Sequence, residues 1–415
     1  MELKRVVVTG IGAITPLGKT VPEYWDGLKN GVSGAALMTR FDTTNFKTKF
    51  ACEVKDYNPT DYFNRKEARK MDIFAQFAMI AGEEAFKDAK LDSEKINNDK
   101  AGVIWGSGIG GITTLADEVE DYTENGRVPR FSPFFVPKII TDIAAGLLSI
   151  KYDFRGPNFS TVSACASSSH AIMEAYNYIK LGKAEVMITG GSEAPLNPPA
   201  VGGFISMHAI SSRNDDPKTA SRPFDKDRDG FIMGEGAGAL ILEDYDHAIK
   251  RGAKIYCELS GTGATADAHH ITAPHPDGKG AFNVMKFALE DANLKLNDVD
   301  YINVHGTSTG LGDIAETKAI VSLFGEHAYE LAISATKSMT GHLLGGAGAI
   351  EAIATILAME NSIIPPTINQ FNRDPEVDEK LNLVANVAQE RNIDVALCNT
   401  FGFGGHNACL IFKKI

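Results

Sequence analysis

Two kinds of apolar segment alternate along the chain, and together they predict a sheet covered by helices. Short runs that read as buried strands end in glycine, at residues 101–106, 184–191 and 301–306. Between them lie segments of helical length, and this alternation is typical of mixed or parallel sheets with helices on both faces. Because the chain leaves such a sheet at the strand ends, we expect the functional groups on the loops that follow the strands.

The pattern of the first half recurs in the second. An apolar strand, a turn of small residues and an apolar helix occupy residues 159–179, and the same succession occupies residues 332–359. Such self-similarity predicts an internal duplication. No Gly-, Ser- or Pro-rich linker separates the halves, so we expect one compact body built from residues 1–253 and 254–415.

Composition narrows the class of protein. With 415 residues and 44% hydrophobic content, the chain can bury large cores. A net charge of -12 without a basic arm argues against nucleic-acid binding. No apolar run approaches the ~20 residues of a membrane span, and the N-terminus reads as a strand ahead of a glycine turn instead of a signal peptide. Five unpatterned cysteines favour a reducing compartment, so we expect a cytoplasmic protein with neither nucleic acid nor membrane as a partner.

One short stretch departs from the acidic average. Residues 64–71 contain four cations within six positions, and at helical spacing Lys66, Arg69 and Lys70 share a face. A solvated helix face is the commoner interpretation of such a run. On an acidic protein it could also dock an acidic partner.

Cys165 is the first candidate for chemistry. It lies between small residues in 161–171 (TVSACASSSHA), directly ahead of an apolar helical pattern. Small side chains allow a sharp turn from strand to helix, and a helix start offers free N–H groups and a positive dipole end that favour thiolate. An inert buried thiol is the usual fate of a free cysteine, so Cys165 needs support from other residues.

Three further segments meet the needs of a thiolate site. His305 ends a strand and is followed by small hydroxyl residues that can bond backbone amides or a polar ligand. Lys337 and His342 lie five residues apart in the second small-residue turn. The glycines of 399–407 (NTFGFGGHN) permit close approach and positive φ angles. Each segment alone has a structural explanation, but together they favour a catalytic site.

Four motifs in register carry a resemblance to a known family. They are SACA around Cys165, HGTST from His305, Lys337 with the GH that ends at His342, and the GFGG of residues 402–405. Over the whole chain this set resembles the signature of the β-ketoacyl-acyl carrier protein synthases of the thiolase superfamily. Order, spacing and length are most similar to the type II elongating condensing enzymes. The resemblance implies an α/β fold, a thiolase-like five-layer αβαβα sandwich with internal duplication, and a homodimer.

The resemblance also implies an activity, that of a 3-oxoacyl-[acyl-carrier-protein] synthase acting on malonyl and acyl thioesters. Cys165 would accept an acyl group from a phosphopantetheine thioester, while the backbone N–H groups of Cys165 and Phe403 hold the oxyanion. His305 and His342 would stabilise the enolate that a malonyl thioester forms on losing CO₂, and Lys337 would place a cation beside them. No cofactor is implied, because phosphopantetheine arrives on the acyl carrier protein.

Further residues take roles through their positions in the family motifs. The implied oxyanion, gate and substrate-binding residues are Phe403, Phe401, Thr307, Thr309, Ile109, Phe204 and Thr272. No catalytic metal is implied, although a structural cation could bind near Glu351 and Asn303. Since carrier proteins are strongly acidic, Lys66, Arg69 and Lys70 become the expected docking surface.

Other activities stay open on these residues. A polyketide-type ketosynthase would use the same groups. A degradative thiolase would need a second cysteine near the C-terminus, but Cys398 and Cys409 lie in strand-like sequence. An initiating synthase would carry asparagine in place of His342, and a non-catalytic chain-length partner would lack the nucleophile. A cysteine hydrolase would leave Lys337 and His342 without a task.

Overall fold

Strands and helices alternate along the chain in a computed structural model that describes residues 3–415. The strands are β1 (Val6–Ile14), β2 (Ala36–Leu37), β3 (Phe50–Ala51), β4 (Ala101–Gly106), β5 (Asn158–Thr161), β6 (Val186–Glu193), β7 (Gly236–Asp244), β8 (Cys257–Ala266), β9 (Tyr301–Asn303), β10 (Ala332–Ser334), β11 (Ile363–Ile364), β12 (Gln389–Glu390), β13 (Val395–Gly402) and β14 (His406–Lys413). The helices are α1 (Val21–Lys29), α2 (Arg65–Ala68), α3 (Ile73–Asp88), α4 (Ile112–Glu124), α5 (Phe135–Ile139), α6 (Ile143–Tyr152), α7 (Ser167–Lys180), α8 (Pro198–Ser206), α9 (Tyr245–Lys250), α10 (Lys279–Ala292), α11 (Gly310–Phe324), α12 (Lys337–Thr340) and α13 (Ala347–Asn361).

Ten of the described strands form one sheet in the order β10-β9-β13-β14-β8-β1-β7-β6-β4-β5. In the first half, β4 is parallel to β5 and β6, and β7 is antiparallel to β6 and β1. In the second half, β9 is parallel to β10 and β13, and β14 is antiparallel to β13 and β8. Strand order and direction are therefore the same in both halves, which confirms the predicted internal duplication.

The two halves meet at their first strands. Val7 pairs with Glu258 and Val8 with Cys257, antiparallel, so that β1 and β8 join two five-stranded units. The connection between the units runs from the end of α9 at Lys250 to the start of β8. A boundary between residues 253 and 254 falls in this connection and stays a prediction.

Helices cover both units and also lie between them. α7 packs on β4 and β6 of the first unit, α13 contacts β7 and β13, and the two helices touch each other. On the outer faces, α3 packs on β1, β6 and β7, while α10 packs on β8 and β14. The layers follow the order helix, sheet, helix, sheet, helix, as predicted.

The central layer is the most deeply buried. Every residue of α13 from 347 to 359 is buried, and a helix that is apolar on all sides needs protein around it. α7 and α13 approach so closely at Gly348 that a Cβ there would lie 2.0 Å from Ser169 Oγ. The glycine is therefore required for the contact that sets these two helices side by side.

The turns that lead into the central helices share one conformation. A short 3₁₀ segment, Ala164–Ala166, precedes α7, and another, Leu344–Gly346, precedes α13. Each opens with a left-handed residue, Ala164 at φ 50° and Leu344 at φ 46°. The duplication thus brings two equivalent turns to the centre of the molecule. Within residues 3–415, no helix has both the length and the apolar character needed to cross a membrane.

Candidate active site

Cys165 occupies the middle of the turn ahead of α7 and is only 7% exposed. Ser163 donates its backbone N–H to Ser167 Oγ at 2.9 Å, and the Ser167 hydroxyl donates to the carbonyl of Ala164 at 2.6 Å. These two bonds close the turn around Ala164, whose left-handed conformation costs about 1–2 kcal/mol. The sharp strand-to-helix turn predicted around the cysteine is present.

Two backbone donors converge on the thiol. Burial raises the pKa of Cys165 to about 11, while the charge of Lys337 and the backbone N–H groups of Phe403 and of Cys165 itself oppose this rise. The hairpin that carries Phe403 packs directly on the turn, because a Cβ on Gly402 would lie 2.7 Å from the Ser163 carbonyl oxygen. The cysteine therefore rests as a neutral thiol beneath two N–H groups suited to an oxyanion.

His305 and His342 lie side by side, with ring centroids 5.4 Å apart and planes at 85°. Burial first, and then the charge of Lys337, lowers the pKa of both imidazoles well below the ordinary value. The Nδ1 atom of each ring is buried without a hydrogen-bond partner in the described chain. Each ring is thus neutral at physiological pH, and Nε2 is the nitrogen that a ligand in the cavity can reach.

One cavity of about 590 Å³ collects the predicted substrate and reaction residues. Its lining includes Cys165, His305, His342, Phe401, Phe403, Thr307, Thr309, Ile109, Phe204 and Thr272. Apolar side chains, among them Ile109, Phe204, Phe231 and Leu344, form much of its wall, as a site for an acyl chain requires.

Two phenylalanines border the cavity at the tip of the β13–β14 hairpin. The Phe401 ring lies 5.6 Å from the His305 ring, and the Phe403 ring lies 6.4 Å from that of Phe204. Gly404 and Gly405 follow at φ 86° and 75°, a conformation that favours glycine. Phe403 is thereby held between the thiol and the apolar end of the cavity.

Lys337 lies behind the cavity and does not line it. The side chain is 1% exposed and forms an ion pair with the equally buried Glu351. Burial raises the pKa of Glu351 to about 7, against the opposing charge of Lys337. Lys337 therefore acts on the histidines through its charge and not by contact with a bound ligand.

Two acidic residues on α11 hold the segment that carries His305, and sequence reasoning missed both. Glu316 accepts hydrogen bonds from the backbone N–H groups of His305 and Gly306, each at 2.9 Å. Asp313 accepts from the N–H of Ser308 at 3.1 Å and pairs with a buried arginine, Arg228. Burial raises the pKa of Glu316 to about 7 and that of Asp313 to about 6. Two carboxylates three residues apart, in the first half of a largely apolar helix, were the signal that could have identified them.

Glu193, at the end of β6, was also missed. Its carboxylate accepts from the Ser107 hydroxyl at 2.8 Å and from the N–H groups of Gly108 at 2.7 Å, Ile109 at 3.2 Å and Gly345 at 2.9 Å. It joins the segment that carries Ile109 to the turn ahead of α13. A glutamate that ends a buried strand was the available signal.

The basic cluster is exposed, and the helix that carries it is short. Lys66, Arg69 and Lys70 are all exposed. α2 ends at Ala68, but the backbone N–H of Arg69 bonds the Arg65 carbonyl and that of Lys70 bonds the Glu67 carbonyl, so the helical turn continues to Lys70. Asn64 caps this short helix by accepting from the N–H groups of the first turn, and Lys70 Nζ lies 5.7 Å from the centroid of the Phe134 ring. That the three cations form a docking surface stays a prediction.

Unpartnered oxygens surround the Lys337–Glu351 ion pair. Glu351 Oε2, Asn303 Oδ1 and Asn399 Oδ1 are buried without hydrogen-bond partners among the described residues. Carboxylate and amide oxygens are ligands that hard cations prefer, but the Lys337 ammonium already pairs with this carboxylate, so a bound cation stays a prediction. Residues 3–415 hold no group of three or more His, Cys, Asp or Glu side chains arranged for a metal ion.

Cys398 and Cys409 are fully buried in β13 and β14, outside the lining of the cavity. Burial raises the pKa of both thiols. Neither can serve as the second acid/base that a degradative thiolase requires.

Two family descriptions match the chain in succession. "Beta-ketoacyl synthase, N-terminal domain" matches residues 3–248, and "Beta-ketoacyl synthase, C-terminal domain" matches residues 256–371. A 3-oxoacyl-[acyl-carrier-protein] synthase 2 from Synechocystis sp. is 51% identical over 414 residues, covering 100% of this chain and 99% of the relative. A protein of the same name from Staphylococcus aureus is 48% identical over 411 residues and covers 99% and 98% of the two chains.

A solved structure extends the similarity to three dimensions. It holds a type II PKS acyl-carrier protein in complex with its ketosynthase bound to the hexaketide. The matching chain superimposes with a TM-score of 0.92 at 33% identity and covers 100% of both chains.

Proposed function

The chain belongs to the β-ketoacyl synthase family, and we propose that it is a 3-oxoacyl-[acyl-carrier-protein] synthase that elongates fatty acyl chains by decarboxylative condensation at Cys165. The observation that carries the proposal is the convergence of one thiol and two neutral imidazoles, those of His305 and His342, on one apolar cavity. The synthases from Synechocystis and Staphylococcus aureus, which match over nearly their full length, support the choice of a fatty acyl substrate.

The first step transfers an acyl group to the enzyme. Cys165 sulfur attacks the thioester carbonyl of acyl carrier protein, the carbonyl oxygen becomes an oxyanion, and the N–H groups of Cys165 and Phe403 stabilise it. The C–S bond to the phosphopantetheine then breaks, so its sulfur leaves and takes up the proton that the cysteine gives up. The acyl chain stays on Cys165 and extends past Ile109 and Phe204.

The second step forms the carbon–carbon bond. A malonyl thioester loses its carboxylate as CO₂, and the electron pair of the broken bond moves into an enolate. His305 and His342 donate hydrogen bonds to the enolate oxygen through Nε2. The enolate carbon attacks the acyl carbonyl on Cys165, the C–S bond breaks, and the released thiolate takes up a proton from water. Lys337 keeps both imidazoles neutral by lowering their pKa.

A three-way product assay tests this function. Protein mixed with acyl- and malonyl-loaded carrier protein should release CO₂ and yield a 3-oxoacyl product two carbons longer. Free acid in its place would indicate a hydrolase, and no product would indicate a scaffold. Comparing fatty acyl starters with a poly-β-keto starter separates the fatty-acid function from a polyketide one, because preference for the latter would contradict the proposal.

Carrier-protein docking is the finer part of the proposal. The solved ketosynthase in complex with its acyl-carrier protein supports a partner of this class. Lys66, Arg69 and Lys70 form an exposed basic cluster on a chain of net charge -12, and long-range attraction would steer an acidic partner to it.

Charge reversal tests the docking surface. Lys66→Glu, Arg69→Glu and Lys70→Glu together should lower kcat/KM for carrier-protein substrates by about 10- to 100-fold and for small pantetheine thioesters by less than about 3-fold. The matched control reverses Lys90, Lys413 and Lys414, three exposed lysines elsewhere, with the same charge change. Equal losses for both substrates, or for both triple variants, would contradict docking at the cluster.

A homodimer accounts for one edge of the sheet. β5 is the terminal strand, and an edge strand with free N–H and C=O groups invites pairing with another chain. Apolar side chains lie exposed nearby, including Phe131, Val136, Ile140 and Val162. Val162→Asp should shift the mass in light-scattering chromatography toward a monomer, whereas Val387→Asp, at an exposed position outside this edge, should not. A monomeric wild-type protein would contradict the dimer.

Two smaller parts complete the proposal. A hard cation bound by the oxygens of Glu351, Asn303 and Asn399 would stay with purified protein in elemental analysis, and Glu351→Gln should release it.

The chain works in the cytoplasm without a cofactor of its own, because phosphopantetheine enters on its carrier. Fractionation and intact mass of the purified protein test these two statements.

A further inference from the structure

His170 is a histidine next to the nucleophile that the two proposed steps do not use. It lies on α7, five residues after Cys165, and its Nδ1 is 2.6 Å from Ser163 Oγ. Burial lowers the pKa of His170, nearby His406 lowers it further, and the backbone of Asn407, which lies against the ring, opposes both effects. In the neutral ring, Nδ1 accepts from the Ser163 hydroxyl and Nε2 carries the proton.

The two segments that His170 joins are those that carry the oxyanion donors. Ser163 stands two residues before Cys165. Asn407 pairs with Phe401 across the β13–β14 hairpin, whose tip carries Phe403. The segments touch through their backbones, since a Cβ on Gly402 would lie 3.2 Å from the Cys165 nitrogen. A side chain that bonds the first segment and lies against the second controls how the two N–H groups are placed relative to each other.

The turn at the nucleophile needs such support. Ala164 is left-handed at φ 50°, and Ser163 before it adopts φ −147° and ψ 47°. A backbone in such sparsely populated conformations persists only where surrounding contacts determine it. The backbone N–H of Ser163 is held by Ser167, and its hydroxyl by His170.

We propose that His170 is a positioning residue that holds the nucleophile turn and the β13–β14 hairpin in register, so that the N–H groups of Cys165 and Phe403 meet at one thioester oxygen. The inference rests on the proposed synthase function. Loss of one oxyanion donor typically slows acyl transfer 10²- to 10³-fold, and a small misplacement of a donor costs a part of that.

Three assays on His170→Phe test the role, because phenylalanine keeps an aromatic ring but removes both ring nitrogens, and with them the hydrogen bond to Ser163. The rate at which acyl carrier protein acylates Cys165, measured by intact mass, should fall by about 10- to 100-fold at unchanged KM. CO₂ release from malonyl carrier protein, which depends on His305 and His342, should change by less than about 3-fold. Alkylation of Cys165 by iodoacetamide, which needs no oxyanion, should change as little.

Further variants exclude a general loss of structure. Ser163→Ala removes only the hydroxyl that bonds His170. It should slow acylation several-fold while CO₂ release and alkylation stay nearly unchanged. This variant tests the positioning role even if His170→Phe does not fold. His170→Asn retains an acceptor near the Nδ1 position and should recover part of the rate. The control His327→Phe removes another hydrogen-bonded histidine, whose ring nitrogens lie 3.1 Å from Glu330 Oε2 and 2.9 Å from the Val299 carbonyl, and it should leave all three rates unchanged.

The outcomes separate this inference from the function on which it rests. Normal acylation in both His170→Phe and Ser163→Ala, or an equal fall of all three rates, would overturn the positioning role while the synthase function stands. If the wild-type protein neither acquires the acyl mass nor releases CO₂, the proposed function fails, and this inference fails with it.

Discussion

The turns ahead of α7 and α13 share a backbone conformation but serve opposite purposes. Each opens with a left-handed residue, Ala164 or Leu344, and continues through a 3₁₀ segment into a central helix. The second position is Cys165 in one turn and Gly345 in the other. The N–H of Gly345 donates to the Glu193 carboxylate at 2.9 Å, whereas that of Cys165 points to its own thiol at the cavity.

This difference shows that the surroundings of the turn, and not the fold, decide its use. Both turns present an N–H group beside the positive end of a helix, which favours a negatively charged oxygen. In the second half the protein supplies that oxygen itself, and the turn becomes structural. In the first half, under the proposed function, the N–H is available to the oxyanion of a substrate, and an equivalent turn serves catalysis.

The largest effect should come from the residue that distinguishes the turns. Cys165→Ser should abolish acyl-enzyme formation, because a serine hydroxyl is a far weaker nucleophile than the cysteine sulfur. Intact mass after incubation with acyl carrier protein measures the result. Cys257→Ala, at a buried thiol outside the cavity, is the control and should acylate normally. If the serine variant gained the acyl mass, the thiol of Cys165 would not be what makes the two turns differ in function.

The second half should contribute through residues beside its turn. His342→Ala should still acylate Cys165 but lose malonyl decarboxylation by about 100-fold or more, since an imidazole donor to the enolate is removed. CO₂ release and intact mass, measured on the same preparation, report the two steps separately. Parallel loss of both steps would show that the two halves do not divide the chemistry in this way.

Glu193→Gln tests the carboxylate that occupies the second turn. Burial raises the pKa of Glu193 to about 7 in spite of its hydrogen bonds, so ionisation of this group disfavours the folded state. The stability it contributes is fully present below the unfolded pKa of about 4.5 and is lost as the pH rises through 7. Relative to the glutamine variant, the wild-type protein should therefore lose about 3 kcal/mol between pH 4.5 and pH 8, measured by urea unfolding. If the difference in unfolding free energy between the two proteins did not vary with pH, the raised pKa of Glu193 would be contradicted.

The sequence predicted the residues that lie in motifs and missed those that act through distant backbone. Cys165, His305 and His342 each stand in a turn or strand end of small residues, and all three reach the cavity. Glu193 bonds to Gly345, 152 positions away, and no periodicity relates two such residues. The strand order was likewise implied only through the duplication and the family resemblance.

Two local details lay beyond the sequence pattern. Lys337 was expected to place a cation beside the histidines, and its charge does lower their pKa, but the pattern did not show that the side chain pairs with the Glu351 carboxylate on α13 behind the cavity. Nor did the pattern show that the helix that carries the basic cluster, α2, ends at Ala68. Both depend on where side chains and helix ends come to rest after folding.

The smallest effect is expected from a change to the backbone of the turn that holds Cys165. Ala164→Gly relieves a left-handed strain of about 1–2 kcal/mol and adds a comparable loss of chain entropy on folding, so stability should change by no more than about 1 kcal/mol. Ala166→Gly, two residues later at φ −88°, has no such strain to relieve and should only destabilise. Chemical unfolding of the pair measures the contrast. Because glycine also gives the turn more conformational freedom, Ala164→Gly should slow acylation a few-fold while the free energy of unfolding stays nearly unchanged. Unchanged acylation would mean that the contacts of Ser163 and Ser167 fix the turn without help from the alanine side chain.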